Sequence, residues 1–327
     1  MLKSATVIVG LLAILAGCAP KHGAMTNELR ATANVPTPDC VFDALDPFEP
    51  HSRITKGAHK GECIDTDLAR PVSRLTAEEA AQFGGEPTNE ILVANVSHGG
   101  KYWVAKVPMD GIVEGIFQLE YFPAPLNIPA GHTQVRIRFR DDKPVVLTTQ
   151  SGKDKKITQK INDLIISFEA IGQRGYAYNP LTGLKDEYAG VYRVTSLDRS
   201  YDHMIIKQNH RVEQWKMNIE MGELKTVFQR FVAMSAARQM TYMYNTVSLN
   251  CTNEIIRAID EGVNYTRREI VQKLLTFPTD TYPNIVRVSL ISRGLLPMDK
   301  STDLPELGKD PIGTVIRERL KELSAVD

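Results

Sequence analysis

The chain has 327 residues, and its 39 Lys and Arg balance 39 Asp and Glu, so its formal net charge is zero. This balance excludes a global electrostatic attraction to nucleic acid, and we expect no nucleic-acid partner. Hydrophobic residues make up 43% of the chain, an ordinary fraction for a globular protein, and the length suits one large domain or two small ones.

The N-terminus predicts export to a bacterial cell envelope. Residues 7–16 form an apolar run that is too short to span a bilayer. The run ends in Leu15-Ala16-Gly17-Cys18, which matches a lipobox, so we expect residues 1–17 to be a signal peptide and Cys18 to carry lipid. Ala19, instead of an aspartate, favours the periplasmic face of the outer membrane. The alternative is an ordinary secretory signal with an incidental cysteine.

Two segments precede the predicted core. Residues 18–38 are small, polar and Pro-containing, which predicts a tether. Residues 39–86 predict an irregular lead-in that ends in a short helix, because Thr76 and Glu79 have the spacing of a capping box. In an oxidising compartment, Cys40 and Cys63 predict a disulfide that closes this segment. A metal pair or two free thiols are the alternatives, and no nearby histidine spacing supports a metal.

Residues 87–277 change from strand periodicity to helix periodicity. Alternating apolar residues predict strands at residues 91–96, 101–107, 134–140, 144–149, 163–171, 190–196 and 211–219. Apolar residues at helical spacing predict helices over 222–232 and from 250 to about 259. We therefore predict an α+β fold, an antiparallel sheet with packed helices. Residues 278–327 predict a C-terminal helical extension, in which an apolar stripe at 311–323 packs on the core; a helix on a membrane surface is the alternative.

Cys251 is the remaining cysteine, and its position predicts a reactive thiol. It follows Asn250, a good helix cap, and precedes Thr252. In the first turn of a helix, unpaired backbone N–H groups lower the pKa of a thiol and can later hold an oxyanion. Asn250 and Thr252 are therefore candidates for contacts with substrate. The alternative is a buried, inert cysteine that fills the start of a helix.

A thiol nucleophile needs a histidine base, and four histidines lie in the expected fold. His132 stands at the entry to a predicted strand, from which a side chain can project over a neighbouring helix N-terminus. His98 lies in a predicted hairpin turn, His203 at a predicted strand start and His210 in a polar corner. We therefore favour His132.

Four sequence blocks stand out in this region. They are Gly131-His132-Thr133; Ile165-Ile166-Ser167-Phe168-Glu169-Ala170; Tyr178-Asn179-Pro180-Leu181-Thr182-Gly183-Leu184 with Tyr188; and Tyr244-Asn245-Thr246 with Asn250-Cys251-Thr252. Together they resemble the bacterial family named after the Lnb N-terminal periplasmic domain. That family is similar to circularly permuted NlpC-type, papain-like thiol enzymes, in which the histidine strand precedes the cysteine helix. The resemblance thus implies a permuted papain-like core.

The resemblance also implies roles for three residues. Cys251 would be the nucleophile, His132 the base and Glu169 the group that orients the base. A solvated strand carboxylate is the alternative for Glu169. The chain departs from the family pattern after Glu169, where an arginine is expected soon but none occurs before Arg174. The resemblance implies neither a metal nor a cofactor.

The implied reaction is acyl transfer or hydrolysis through a thioester. Lnb proteins are implicated in acylating the amino terminus of lipoproteins, so phospholipid and lipoprotein are the implied substrates. Cell-wall peptides, which fold relatives cleave, are an alternative, and a non-catalytic binding lipoprotein is another. Arg136 and Arg138, on the same strand face as His132, are candidates for binding lipid phosphate, as is Arg211. Solvated or salt-bridged arginines are the alternative.

Overall fold

The structure of this protein is a computed structural model that describes residues 40, 42–84, 89–122, 130–152, 156–175, 178–238, 240–299 and 301–304. The predicted signal peptide, the lipidation of Cys18, the tether and the stripe at residues 311–323 all lie outside these residues. Among the helices that are described, none is both long and apolar enough to cross a bilayer.

The described strands form one 12-stranded sheet. They are β1 (Ser73–Arg74), β2 (Glu90–His98), β3 (Lys101–Pro108), β4 (Ile112–Phe122), β5 (Ala130–Phe139), β6 (Val145–Thr149), β7 (Thr158–Ile161), β8 (Asp163–Ile171), β9 (Tyr188–Ser196), β10 (Arg211–Lys216), β11 (Met243–Tyr244) and β12 (Thr302–Asp303). Their order is β12-β10-β4-β5-β8-β9-β2-β3-β6-β7, with β1 beside β2 and β11 beside β9. The pairing of β2 with β9 is parallel, whereas the pairings that position the site, β4–β5, β5–β8 and β8–β9, are antiparallel.

Helices cover this sheet. They are α1 (Ala77–Gln82), α2 (Pro180–Gly183), α3 (Leu197–Tyr201), α4 (Met221–Arg238), α5 (Cys251–Gly262), α6 (Arg267–Thr276) and α7 (Pro283–Ser292), with a π-helix at Asp202–Lys207 and a 3-10 helix at Phe277–Thr281. The predicted α+β class, with a mostly antiparallel sheet and packed helices, is confirmed. The papain-like permutation and the domain boundaries stay predictions.

The sheet is a middle layer with a core on each face. On one face, Phe228 of α4 and Ile255 of α5 are fully buried in a cluster with Val135 of β5 and Phe168 of β8. On the other face, α3 and the π-helix pack in a cluster that contains Ile165 of β8. Because β5 and β8 lie in the centre of the sheet, their ends form a rigid platform for side chains.

One secondary-structure prediction was wrong. His203 does not start a strand but lies in the π-helix Asp202–Lys207. The neighbouring residues Met204 and Ile205 are both buried in the same cluster, and adjacent residues of a strand would point to opposite faces. A helical backbone is therefore required there.

The lead-in is held together by contacts between its own residues. Cys40 and Cys63 form the predicted disulfide. Thr76 caps α1 in the predicted capping box with Glu79. Arg70, which is buried, donates to Asp46 at 2.6 Å. Because a buried carboxylate of this kind is costly to leave unpaired, this ion pair holds the irregular segment in one position.

Candidate active site

Helix α5 begins at Cys251, as predicted, and Asn250 caps it. The backbone N–H groups of Thr252 and Asn253 donate to Asn250 Oδ1 at 2.9 and 3.1 Å. The Asn253 side chain accepts from the Asn250 N–H at 2.8 Å, which completes a capping box. The Cys251 thiol therefore lies in the first turn, at the positive end of the helix dipole.

His132 reaches this thiol because β5 is paired on one side only at its start. The pairing with β4 runs to Ala130, whereas the pairing with β8 begins at Gln134. In the gap, the imidazole of His132 and the backbone N–H of Thr133 lie close enough to the Cys251 thiol to lower its pKa. The start of the helix and the open end of the strand thus meet at one point.

The other side of the imidazole faces Glu169 on β8. His132 Nε2 and Glu169 Oε1 are 3.3 Å apart. Nε2 has no aligned hydrogen-bond acceptor, so this contact is chiefly electrostatic. Cys251, His132 and Glu169 therefore lie in one cluster, with the imidazole between the thiol and the carboxylate.

The charges in this cluster support each other. Burial disfavours the imidazolium, but Glu169 and Cys251 outweigh it and raise the pKa of His132 well above 6.5. Burial also disfavours the thiolate, yet His132, with the N–H of Thr133, lowers the pKa of Cys251 below 9.0. Both shifts favour a thiolate beside an imidazolium.

Two neighbours hold the carboxylate of Glu169. Burial raises its pKa, but His132, Arg193 and Ser167 lower it by more, so it is ionised. Ser167 Oγ donates to Glu169 Oε1 at 2.6 Å, and Arg193 Nη1 donates to the same oxygen at 3.4 Å. Arg193 reaches Glu169 from the neighbouring strand β9.

Tyr244 closes the cluster from the side of α5 and was given no role from sequence. Its ring stacks on Phe168 at 5.8 Å and meets Tyr178 edge-on at 5.8 Å. Its hydroxyl lies near Cys251, whose thiol and backbone N–H both act on the pKa of the phenol. Burial, and then the nearby thiol, raises the pKa of Tyr244 well above 10.0, so it stays a neutral hydrogen-bond donor. Gly190 makes room for this stack, because a Cβ there would lie 2.3 Å from Phe168.

Residues 103–287 match the Lnb N-terminal periplasmic domain family, over more than half of the chain. The chain belongs to this family. It is therefore a protein of the cell envelope, and the resemblance drawn from the four blocks is confirmed. No curated protein and no solved structure matches the chain.

The arginines proposed for phosphate binding are placed elsewhere in the Lnb-type domain. Arg136 is buried and donates to Asp163 at 2.7 Å, four residues along β5 from His132, or about 13 Å at the usual rise of a strand. Arg138 donates to Glu114 at 3.1 Å. The structure does not bring these two residues to the thiol, and carboxylates already balance their charges.

Arg211 lies nearer, on β10 and two strands from β5. It is exposed, and its guanidinium donates to Glu213 at 2.7 Å while it lies over the ring of Tyr121. A surface ion pair of this kind is worth little and leaves the arginine able to exchange partners. Its substrate role stays a prediction.

The other histidines considered as bases have different surroundings. His98 contacts Ser196 at 2.8 Å and Gln159 at 2.7 Å, which holds the β2–β3 turn. His210 contacts Glu120 at 2.6 Å. Within the described ranges, no three His, Cys, Asp or Glu side chains converge as a metal site.

A shallow cavity of about 380 Å³ opens on the segment that precedes Cys251. Lys56, Asp186, Tyr242, Ser248 and Leu249 are among its lining residues, whereas Cys251, His132 and Glu169 are not. The thiol itself belongs to a residue that is only 4% exposed. A substrate carbonyl would therefore reach the sulfur only through a narrow approach.

Proposed function

We propose that this chain is a thiol-dependent acyltransferase or hydrolase of the cell envelope. The observation that carries the proposal is the arrangement of Cys251, at the first turn of α5, beside an imidazole whose other side faces Glu169. A thiolate paired with an imidazolium is the form in which a cysteine attacks a carbonyl. An inert structural cysteine would gain nothing from a partner that lowers its pKa.

The reaction would proceed in two halves. The thiolate of Cys251 attacks the acyl carbonyl, and His132 transfers its proton to the departing alcohol or amine, which leaves a thioester. His132, now neutral, takes a proton from an amine or a water as that acceptor attacks the thioester, and the thiolate departs. Glu169 stabilises the imidazolium and orients the ring without taking the proton.

The developing oxyanion would have two donors. The backbone N–H of Cys251 lies at the start of α5, and the hydroxyl of Tyr244 lies near the same group. Fixed donors of this type stabilise a tetrahedral intermediate most when water is excluded, as it is at this buried site. Tyr244 therefore has a catalytic role in the proposal.

The proposed substrates are phospholipids or lipoproteins. The family is periplasmic, and the lipobox at Cys18 predicts an anchor that would hold the chain at the outer membrane, where both are abundant. A lipid donor and an amine acceptor suit the thioester route, since the acyl group passes from an ester to a thioester and then to an amide.

One observation favours a second candidate, a non-catalytic binding protein on the same scaffold. Cys251 is only 4% exposed, whereas reactive cysteines generally lie in partly exposed positions. In that case the polar cluster would stabilise the fold, and partners would bind elsewhere on the surface.

Alkylation by iodoacetamide separates the two candidates. Cys40 and Cys63 are joined, so Cys251 is the free thiol of the described part of the chain. In the folded protein at pH 7, we expect Cys251 to react faster than a free cysteine. A thiol that reacts only after unfolding would support the binding protein.

Activity assays then identify the reaction class. The parent chain and Cys251→Ser should be compared on a phospholipid with a lipopeptide acceptor and on a cell-wall peptide. We expect acyl transfer or hydrolysis with the lipid donor, lost in Cys251→Ser. Cleavage of the peptide alone would assign the chain to the cell-wall amidases instead.

A further inference from the structure

Helix α6 exposes its apolar residues to solvent. Ile270, Val271, Leu274 and Leu275 are 46%, 53%, 71% and 70% exposed. Their spacing places them on one face of the helix, because residues four apart are neighbours on its surface. None of the ten residues of α6 is buried. A soluble surface helix normally turns such a face to the core, so this one is unusual.

The same exposure continues on α7. Ile285 and Val288 are 42% and 62% exposed, and their spacing of three residues places them on one face of the helix. Thr276 at the end of α6 accepts a hydrogen bond from Ser289 of α7 at 2.9 Å, so the two helices are held together. We name the six residues Ile270, Val271, Leu274, Leu275, Ile285 and Val288 the α6–α7 surface. A cluster of this size marks an interaction site.

Positive charge accompanies this surface. Residues 267–298 contain five Lys and Arg, Arg267, Arg268, Lys273, Arg287 and Arg293, against two acidic residues, Glu269 and Asp280, a difference of +3 in a chain that is neutral overall. Asp280 and Asp260 pair with Arg293, and Asp260 also pairs with Lys273, so Arg267, Arg268 and Arg287 against Glu269 leave an excess of +2 on the outside. Exposed apolar residues beside Arg and Lys are typical of helices that lie in the headgroup region of a bilayer.

The α6–α7 surface adjoins the thiol site. The Asn250 side chain, which caps the helix of Cys251, donates to the carbonyl of Thr281 at 3.0 Å. Pro283, the first residue of α7, lies beside Gly131, which precedes His132. A lipid layer in contact with this surface would therefore lie next to the site.

We propose that the α6–α7 surface docks on a phospholipid bilayer with anionic headgroups. The apolar side chains enter the boundary between headgroups and acyl chains, and the basic residues contact phosphate. An isologous dimer through the same surface is less suitable, because it would bring two positive segments together. This contact is separate from the lipid at Cys18 and independent of the thiol chemistry.

Vesicle sedimentation tests the proposal. The full chain carrying Cys18→Ser, which cannot be acylated there, is mixed with vesicles of phosphatidylethanolamine and phosphatidylglycerol. We expect binding that weakens at high salt, and a loss of at least about tenfold in affinity for Leu274→Glu/Leu275→Glu. The matched control is Leu45→Glu/Leu68→Glu, since these leucines are 53% and 47% exposed and lie in the lead-in. It should bind like the parent.

Three results would overturn the proposal. They are failure of the parent to sediment with vesicles, equal loss in both double variants, and a dimer in light scattering that Leu274→Glu/Leu275→Glu dissociates while vesicle binding is absent. Vesicle binding that appears only after removal of residues 305–327 would likewise overturn the proposal for the full chain. Cys251→Ser should bind vesicles normally, so failure of docking is distinguishable from failure of the thiol chemistry.

Discussion

Two histidine–glutamate pairs lie close together on the same sheet. His132 of β5 faces Glu169 at 3.3 Å, and His210 faces Glu120 at 2.6 Å. Glu120 on β4 is the direct register partner of His132, so the pairs are neighbours. The pair with the shorter contact is the one without a thiol. His210 instead packs against the ring of Phe122, with the ring centroids 5.1 Å apart.

This difference shows that a carboxylate beside a histidine does not by itself make a catalytic base. Many buried histidines take a carboxylate partner because burial of an unpaired polar group is costly. What distinguishes His132 is the helix start on its other side, where Cys251 lies beside the ring and the N–H of Thr133 lies beside the sulfur. The His132–Glu169 pair is therefore the candidate site, and the His210–Glu120 pair is a control for the effects of removing a histidine–carboxylate contact.

The largest expected effect separates the two histidines directly. His132→Ala removes the group that stabilises the thiolate and moves the proton, so we expect the acyl-transfer rate to fall by about 10²–10⁴-fold. His210→Ala removes a comparable buried contact and should leave the rate within about twofold. The measurement is the steady-state rate of both variants, with circular dichroism to establish that they fold. Equal losses would mean that the two pairs act only on stability.

The next effect concerns the oxyanion. Tyr244→Phe keeps the ring stack but removes the hydroxyl that lies near Cys251, and we expect a loss of about 10²-fold in kcat. Tyr242→Phe is the control, because Tyr242 is 46% exposed and lines the outer cavity. If the two variants have equal kcat, the hydroxyl of Tyr244 is structural.

A third test compares the two glutamates. Glu169→Gln removes the charge that favours the imidazolium of His132, so the pKa of His132 falls. Because a neutral imidazole no longer stabilises the thiolate, the pKa of Cys251 rises. We expect alkylation by iodoacetamide near pH 6.5 to slow by about tenfold per unit of thiol pKa, and the rates to converge at high pH. Glu120→Gln should leave the pH profile unchanged. A parent profile like that of a free thiol would contradict the pairing.

The pKa shifts of Glu169 and His132 also predict how the stability of the fold depends on pH. The pKa of Glu169 is lowered by folding, so its contribution is present above its unfolded pKa of about 4.3 and is lost as pH falls through the folded value. The pKa of His132 is raised, so its contribution is lost as pH rises through the folded value. We therefore expect Glu169→Gln to lower the free energy of unfolding most at pH values between the unfolded pKa of Glu169 and the folded pKa of His132, as measured by urea unfolding.

The elements that carry the thiol could be predicted from sequence because their signals are local. Asn250 and Cys251 show a cap followed by apolar residues at helical spacing, and the helix begins where this pattern places it. β8 was predicted at its observed bounds, Asp163–Ile171, although its residues 164–168 are buried on both faces of the sheet. The position of His132 before a strand was a local signal of the same kind.

The parts that sequence reasoning missed depend on neighbours in space. β4 has no simple alternation, because both of its faces are covered and Gln118 and Glu120 are buried as well as Phe117. Arg193 meets Glu169 only because β9 pairs with β8. Arg193 is the one charged residue in β9, and that isolated charge was the available signal.

The smallest effect compares two helix caps. Asn250→Ala removes the cap of α5 together with the bonds to Thr246 and Thr281, so we expect a loss of about 2 kcal/mol in the free energy of unfolding. Thr76→Ala removes the exposed cap of α1 and should cost about 0.5 kcal/mol. Urea unfolding measures both. Because Asn250 also holds the N–H groups of the first turn in place, its loss should raise the thiol pKa, whereas Thr76→Ala should not. Equal thiol profiles in the two variants would mean that His132 alone, without the start of α5, sets the pKa of Cys251.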